Sequence, residues 1–257
     1  MPVKIFKVFL RVLVFGLLLG ASSTAYADTL AITSFTVGNL QFTPATGTAQ
    51  FTLTNTTARS LATNTFGQNI DNLSNMFPVA QATATVDFAS ALGTANANTN
   101  SLSTSTSASV NACSCTASSF SQVTFTGTLV IVGAEGSVNV NISALESQLR
   151  QLQTDQSGVR AQSEILFDLF VNGSPVFSFQ IELLHPLMGP NLSALIQSSN
   201  NLRTGTITLQ AGVENTIFAR LSIGSFAQSE VPEPTTVVLL VSGLGFLTGL
   251  LKKRRVG

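Results

Sequence analysis

The sequence predicts an all-β domain, an antiparallel β-sandwich of the jelly-roll or Ig-like kind, between two terminal segments of different composition. Apolar and polar residues alternate with a period of two over many short stretches, and turn signals separate those stretches. Such alternation is typical of strands that have one buried and one solvated face. We assign residues 28–230 to the β domain, 1–27 to an N-terminal segment and 231–257 to a C-terminal segment.

The clearest strand pattern covers residues 175–184, where apolar side chains point one way and polar ones the other. The apolar set is Phe177, Phe179, Ile181 and Leu183. Residues 136–142 and 216–223 repeat the alternation. Shorter pieces occur at Phe51 and Leu53, at Val123 and Phe125, and at Ile207 and Leu209. Each piece predicts one half-buried strand.

Turn residues lie where the strand patterns stop. Asn172-Gly173 separates residues 164–171 from 175–184, and this dipeptide is the strongest short signal for a hairpin. Residues 133–136 and 211–215 separate further pairs of strands. Many short strands with such turns predict two packed sheets.

One helical pattern interrupts the strands. Ser143 and Glu146 have the spacing of a capping box, and three leucines then share one helical face (Leu145, Leu149 and Leu152). We expect one short helix here that connects strands and covers one end of the sandwich. A weaker helical pattern covers residues 193–197.

Residues 89–119 are low in complexity and consist mostly of Ala, Ser, Thr and Asn. A flexible loop, a small-residue edge strand and a site for sugar attachment are all compatible with this composition. We favour a loop that is flanked by strands.

The first 27 residues have the three parts of a secretory signal peptide. The basic start contains Lys4, Lys7 and Arg11, and an apolar stretch follows at residues 12–19. Ala25 and Ala27 are the small residues at the cleavage positions. We expect signal peptidase to cut after Ala27, so that the mature chain begins at Asp28. The alternative is an uncleaved anchor, for which the apolar stretch is short.

Export would place the two cysteines, Cys113 and Cys115, in an oxidising compartment. They form a candidate disulfide across a single residue, which closes a small ring. A redox pair or a link to another chain is one interpretation, and two thiols or a local clip in a serine-rich loop is the interpretation we favour. The sequence contains no Cys or His cluster, so we predict no metal site.

The C-terminal segment has three parts in order. A proline-containing motif comes first, an apolar run follows at 236–251, and a basic end closes the chain at 252–257. The motif is Val231, Pro232, Glu233, Pro234 and Thr235, and the basic cluster is Lys252, Lys253, Arg254 and Arg255. The length of the run is near the lower limit for a transmembrane helix, and the cations favour a cytoplasmic end. The prolines resist helix and leave an extended segment that a protease can reach.

This tail resembles the PEP-CTERM sorting signal of Gram-negative and related bacteria. The resemblance rests on Pro232, Glu233 and Pro234, together with the apolar run and the basic cluster, and covers about the last 27 residues. It implies that exosortase, a membrane-embedded protease, recognises the tail and releases the protein for surface or matrix delivery. An ordinary C-terminal anchor is the alternative.

Charges are segregated along the chain. Between Asp28 and Glu230 there are eleven acidic and five basic residues, a net charge of −6, and all lysines lie outside this stretch. An acidic surface without lysine is a poor binder of polyanions, so we exclude nucleic acid as a partner.

Catalysis needs positioned titratable groups, and no motif supplies them. The single histidine, His185, is read as a turn residue at a strand end. Asp168 is expected to face solvent, because a buried carboxylate needs a partner. We predict no catalytic residues and no cofactor.

The functional expectation is an exported, non-enzymatic component of the cell surface or extracellular matrix, with a membrane-anchored intermediate. Exopolysaccharide or other matrix material is the expected partner. A glycan-binding module is the first alternative, although the mature chain has no Trp or Tyr on which sugars usually stack. An extracellular hydrolase is the second alternative, since paired carboxylates are compatible with the sequence.

Overall fold

The computed structural model describes residues 29–87, 89–110, 115–154, 160–185 and 192–229. These residues form twelve strands, all paired antiparallel, and a short 3-10 helix at Ala97–Thr99. In chain order the strands are β1 (Thr29–Pro44), β2 (Thr48–Asn64), β3 (Asn69–Ser74), β4 (Val79–Val86), β5 (Ala89–Asn96), β6 (Ser101–Val110), β7 (Cys115–Val132), β8 (Ser137–Thr154), β9 (Arg160–Val171), β10 (Ser174–His185), β11 (Leu192–Gln210) and β12 (Asn215–Ser229).

The strands form two six-stranded sheets. Sheet A has the order β11-β8-β1-β6-β5-β4, and sheet B has the order β10-β9-β12-β7-β2-β3. The inward faces of both sheets contribute to one hydrophobic core, in which Phe35 of sheet A lies 5.8 Å from Phe179 of sheet B between ring centroids. The prediction of an all-β, antiparallel, two-sheet domain is therefore confirmed.

The alternation in the sequence corresponds to the two faces of each strand. Along β7, every second residue from Cys115 to Ile131 is buried, and the residues between them are half-buried. The same holds for β6. Successive side chains of a strand point to opposite faces, so an alternating sequence buries one set against the core.

The predicted hairpin joins β9 to β10. Asn172 and Gly173 have φ angles of 51° and 75°, and a type I′ turn requires positive φ at both positions. The turns at 133–136 and 211–214 instead connect strands of different sheets. They lie at the same end of the sandwich, since the Ala211 N–H donates to the Gly136 carbonyl at 2.9 Å.

Part of the interior is polar and built from small side chains. Thr33 Oγ1 donates to Ser163 Oγ at 2.7 Å and lies 2.9 Å from Ser225 Oγ, which itself lies 2.9 Å from Thr106 Oγ1. Arg150 is only 2% exposed and donates to the Ser163 hydroxyl and carbonyl at 3.1 and 3.0 Å. Burial lowers the pKa of the Arg150 guanidinium. These bonds offset part of the cost of burying polar groups.

The helix expected after Ser143 is wrong. Residues 143–152 belong to β8, whose two edges pair with β1 and β11. Because β8 pairs on both sides, its backbone N–H and C=O groups are hydrogen-bonded to neighbouring strands. This pairing outweighs the helical preference of residues 143–152, since such a local preference is weak. The weaker helical pattern at 193–197 is likewise part of β11.

The loop favoured for residues 89–119 is also wrong over most of that range. β5, β6 and the start of β7 cover it, apart from a short connection and the undescribed residues 111–114. The small side chains fit here because Ala89, Ala108 and Ala117 share a core cluster between the sheets. The alternative of an ordered small-residue strand is the correct one, although β6 is central rather than an edge strand.

Several predictions lie outside the described residues. These are the signal peptide (1–27) with its cleavage at Ala27–Asp28, the sorting motif (231–235), the transmembrane helix (236–251) and the basic end (252–257). Within the described ranges, no helix has the length and apolar character needed to cross a membrane.

Candidate functional site

The outer face of sheet B carries a groove above Gly224 of β12. The cross-strand neighbours of Gly224 are Phe120 of β7 and Glu164 of β9. Glycine contributes no side chain, so a gap of 280 Å³ remains between these neighbours. We call it the Gly224 groove, and its side-chain lining includes Leu61, Phe120, Arg160, Gln162, Glu164 and Phe226.

The space above Gly224 is open. A Cβ atom added there would contact only the Ser119 carbonyl oxygen, at 3.8 Å. A glycine inside a strand weakens the strand and often marks a bend or a place where a ligand or another backbone approaches closely. Here the missing side chain creates a concave site on a face that would otherwise be flat.

One part of the groove is apolar. Phe226 follows Gly224 by two residues on the same face of β12, and Phe120 and Leu61 are direct neighbours across β7 and β2. All three side chains are half-buried, so part of each ring or branch stays accessible. Flat apolar surfaces of this kind can cover the face of a sugar ring.

The other part of the groove is polar and hydrogen-bonded. The Arg160 guanidinium carbon lies 5.6 Å from the Phe226 ring centroid, and its Nη2 donates to Gln162 Oε1 at 2.8 Å. Gln162 Nε2 in turn donates to Glu182 Oε1 at 2.6 Å. Among the described residues, the Arg160 Nε is buried and has no hydrogen-bond partner.

Two carboxylates stand side by side at this site. Glu164 of β9 and Glu182 of β10 are direct cross-strand neighbours. Like charges in this position repel each other. Each accepts a hydrogen bond from a glutamine, and Gln180 Nε2 reaches Glu164 Oε1 at 2.6 Å.

Asp168 lies four residues after Glu164 on the same outer face of β9, but it is not solvated. It is 4% exposed, and its Oδ2 accepts bonds from Arg220 Nε at 3.1 Å and Nη2 at 2.5 Å. Ser178 Oγ donates to Oδ1 at 2.7 Å. The expectation of a solvent-facing Asp168 is therefore wrong. The partner that a buried carboxylate needs comes from β12, 52 residues further along the chain.

A second buried carboxylate, Glu146, lies on the side of the sandwich where β11 of sheet A and β10 of sheet B are the edge strands. Glu146 of β8 points inward and forms an ion pair with Arg203 of β11. The Arg203 guanidinium carbon lies 4.1 Å from the Phe179 ring centroid. Burial raises the pKa of Glu146, and this effect exceeds the lowering by Arg203.

The remaining predicted residues are not part of the groove. His185 is the last residue of β10 and pairs in register with Ala161. Cys115 begins β7 and is disulfide-bonded, whereas Cys113 lies outside the described residues. In the part of the chain that the structure describes, no three His, Cys, Asp or Glu side chains are grouped so that they could hold a metal ion.

Comparison with known proteins adds no family. The chain matches none of the protein-family models and none of the curated proteins. The functional interpretation therefore depends on the groove, the outer faces of the sheets and the sequence patterns of the termini.

Sequence reasoning missed the groove, although two signals point to it. Gly224 is an isolated glycine inside a strand pattern, which often marks a close approach or a gap. Phe226, which lines the groove, occupies a position of β12 where the alternation calls for a polar residue. Large apolar residues on the outer face of a strand indicate a contact surface.

Proposed function

We propose that the chain is an exported, non-enzymatic component of the cell surface or extracellular matrix. It is directed to the membrane by residues 1–27 and processed at its C-terminal tail by an exosortase-type protease. The observation that carries the proposal is the order of motif, apolar run and basic cluster over residues 231–257. The finer assignment of the sandwich to a jelly-roll or Ig-like topology stays part of this proposal.

The experiment is the intact mass of the protein recovered from membrane and extracellular fractions of its host. The wild type is compared with the triple variant Pro232→Ala/Glu233→Ala/Pro234→Ala. We expect a wild-type product that begins at Asp28 and lacks residues 236–257, and a variant that keeps them in the membrane fraction. A wild-type product that retains these residues would contradict processing and leave a plain anchor.

A second candidate function, binding of a neutral glycan, is favoured by the Gly224 groove. The groove combines the rings of Phe120 and Phe226 with the planar polar groups of Arg160, Gln162 and Glu164. Apolar contact with one ring face and hydrogen bonds to hydroxyls at its edge suit a pyranose. Phenylalanine takes the stacking role that Trp and Tyr usually fill.

This second candidate is tested by binding of the full chain to exopolysaccharide from its host and to a neutral-glycan array. Phe120→Ala/Phe226→Ala is expected to weaken binding by about tenfold or more, because loss of the central aromatic anchors of a binding site costs over about 1 kcal/mol. Gly224→Leu fills the groove and should have the same effect. The matched control is Phe170→Ala/Phe218→Ala, which removes two rings from the same face outside the groove. Equal loss in the control would count against the groove.

A further inference from the structure

The two outer faces of the sandwich differ in the number of charged side chains that they carry. On sheet B the outer face carries seven charged side chains, which are Arg59, Asp71, Arg160, Glu164, Asp168, Glu182 and Arg220. Among the described residues, the outer face of sheet A carries none. The charged residues of its strands all point toward sheet B, and they are Glu146, Arg150 and Arg203.

The middle of the outer face of sheet A is a regular array of short hydroxyl side chains. On β6 the outward residues are Ser101, Ser103, Ser105, Ser107 and Ser109. They align across strands with outward hydroxyls of the neighbours. Thr36 of β1 lies 3.0 Å from Ser103 between hydroxyl oxygens, and Ser90 of β5 lies 2.7 Å from Ser107. Short side chains leave this part of the face flat and lose little rotamer freedom when covered.

At the β8–β11 side the same face becomes apolar. Leu195 and Leu202 of β11 are each 64% exposed. Leu202 pairs directly with Leu145 of β8, and Leu195 lies diagonally to Leu149. On β1, Ile32 continues this band of outward aliphatic side chains. An apolar band beside a charge-free hydroxyl array is unusual for a face that meets only water.

The size of this face matches a stable protein interface. Six strands about 4.8 Å apart, over a shared length of about eight residues at about 3.3 Å each, cover roughly 750 Å². Stable complexes bury about 800 Å² on each partner.

The chemistry of the face suits a copy of itself. A hydroxyl is both a donor and an acceptor, so an array of hydroxyls can pair with an identical array. A face of uniform positive or negative charge could not. Two copies related by a two-fold axis present the same patch to each other, and such a contact closes after two chains.

We propose that the outer face of sheet A is a homotypic interface, through which two copies of this chain pair face to face. The leucine band contributes apolar burial and the Ser/Thr array contributes hydrogen bonds. The charged outer faces of sheet B, including the Gly224 groove, then point outward on both sides of the dimer. This inference goes beyond the proposed function and does not depend on export or on tail processing.

The test is the molar mass of the full chain in mild detergent, measured by light scattering and sedimentation over a range of concentrations. The wild type is expected to dimerise. Ser105→Glu/Ser107→Glu places two acids on each copy at the centre of the face, and we expect the dimer dissociation constant to rise at least about a hundredfold. Thr126→Glu/Thr128→Glu adds the same charge to the outer face of sheet B and should leave the dimer intact.

Three other outcomes of this experiment would each overturn the proposal. A wild type that stays monomeric has no such interface. A dimer that survives Ser105→Glu/Ser107→Glu, in a variant with wild-type circular dichroism, is held by another surface. A monomeric wild type that co-sediments with insoluble polysaccharide, and loses this in the same variant, assigns the face to a polysaccharide instead.

A second measurement covers the case in which the charged variant does not fold. Ser105→Cys introduces a small uncharged side chain, and a flexible thiol-specific cross-linker should join two copies. Thr126→Cys on sheet B is the control and should remain uncross-linked. Equal cross-linking of both variants would reject the interface.

Discussion

The two side chains of the Asp168–Arg220 ion pair differ in exposure. This difference determines which of the two side chains costs less stability to replace. The Asp168 side chain is 5% exposed, whereas the Arg220 side chain is 38% exposed. An arginine left without its carboxylate can still be hydrated through its exposed part. A buried carboxylate left without its arginine keeps only the bond from Ser178. Removal of the buried charge should therefore cost less than removal of its partner.

The prediction at this scale concerns the two single variants. Arg220→Met should lower the free energy of unfolding by about 2–4 kcal/mol, and Asp168→Asn by about 1 kcal/mol, because only the first leaves a buried unpaired charge. Chemical denaturation measures both. Arg59→Met is the control, since the Arg59–Asp71 pair is exposed and an exposed ion pair contributes little to the free energy of unfolding. Equal losses for Arg220→Met and Asp168→Asn would contradict the prediction.

Two strand glycines have opposite surroundings. Gly93 of β5 faces inward, and a Cβ added there would meet Ser121 Oγ at 2.5 Å and Val123 Cγ1 at 2.9 Å on sheet B. Gly224 of β12 faces outward, and the nearest atom to an added Cβ is 3.8 Å away. The first glycine allows close packing of the two sheets, while the second opens the groove.

Alanine substitution should separate these two roles. Gly93→Ala is expected to destabilise the fold by about 1–3 kcal/mol, because the close contacts force side chains or backbone to shift. Gly224→Ala should be neutral or stabilising by up to about 1 kcal/mol, because alanine restricts the unfolded chain. Melting temperature and chemical denaturation check both. A loss of stability in Gly224→Ala as large as in Gly93→Ala would show that the two positions do not differ as described.

Glu146 is buried on β8, beside the edge strand β11, and its ion pair is part of the contact between the two sheets. Its partner Arg203 belongs to sheet A and contacts Phe179 of sheet B. Burial raises the pKa of Glu146 above its ordinary value of 4.5. Between 4.5 and the raised value, the folded state binds this proton more tightly than the unfolded state. Glu146 therefore stabilises the fold at low pH, and this contribution is lost as pH rises through that window.

Glu146→Gln should remove this contribution to the pH dependence. The expected result is that the decrease in unfolding free energy on raising the pH above 4.5 becomes smaller than in the wild type. The measurement is chemical denaturation at a series of pH values. Ser147→Ala, a neutral change on the opposite side of the same strand, is the control and should follow the wild type. A variant with the wild-type slope would show that Glu146 does not titrate differently on folding.

At the same scale, charge divides the molecule into two faces. The residues between Asp28 and Glu230 have a net charge of −6, yet sheet A contributes no charged side chain to its outer face among the described residues. The excess of acidic over basic residues could be counted in the sequence. The charged side chains of the strands lie either on the outer face of sheet B or in the interior, and this placement follows from which strands pair into which sheet.

The sequence alone determined the features that depend on near neighbours in the chain. Alternation predicted the strands at 136–142, 175–184 and 216–223, and Asn172-Gly173 predicted the hairpin, because side-chain direction and turn geometry are local. A different local pattern, the order of motif, apolar run and basic cluster at residues 231–257, carries the functional proposal.

Only the tertiary structure decided what depends on partners far along the chain. Residues 143–152 of β8 are part of a strand because β1 and β11 pair with both of its edges, although the pattern of these residues favours a helix. β12 brings Arg220 to Asp168 and places Gly224 between Phe120 and Glu164. Register between distant strands arises from packing of the whole core, and no short stretch of sequence encodes it.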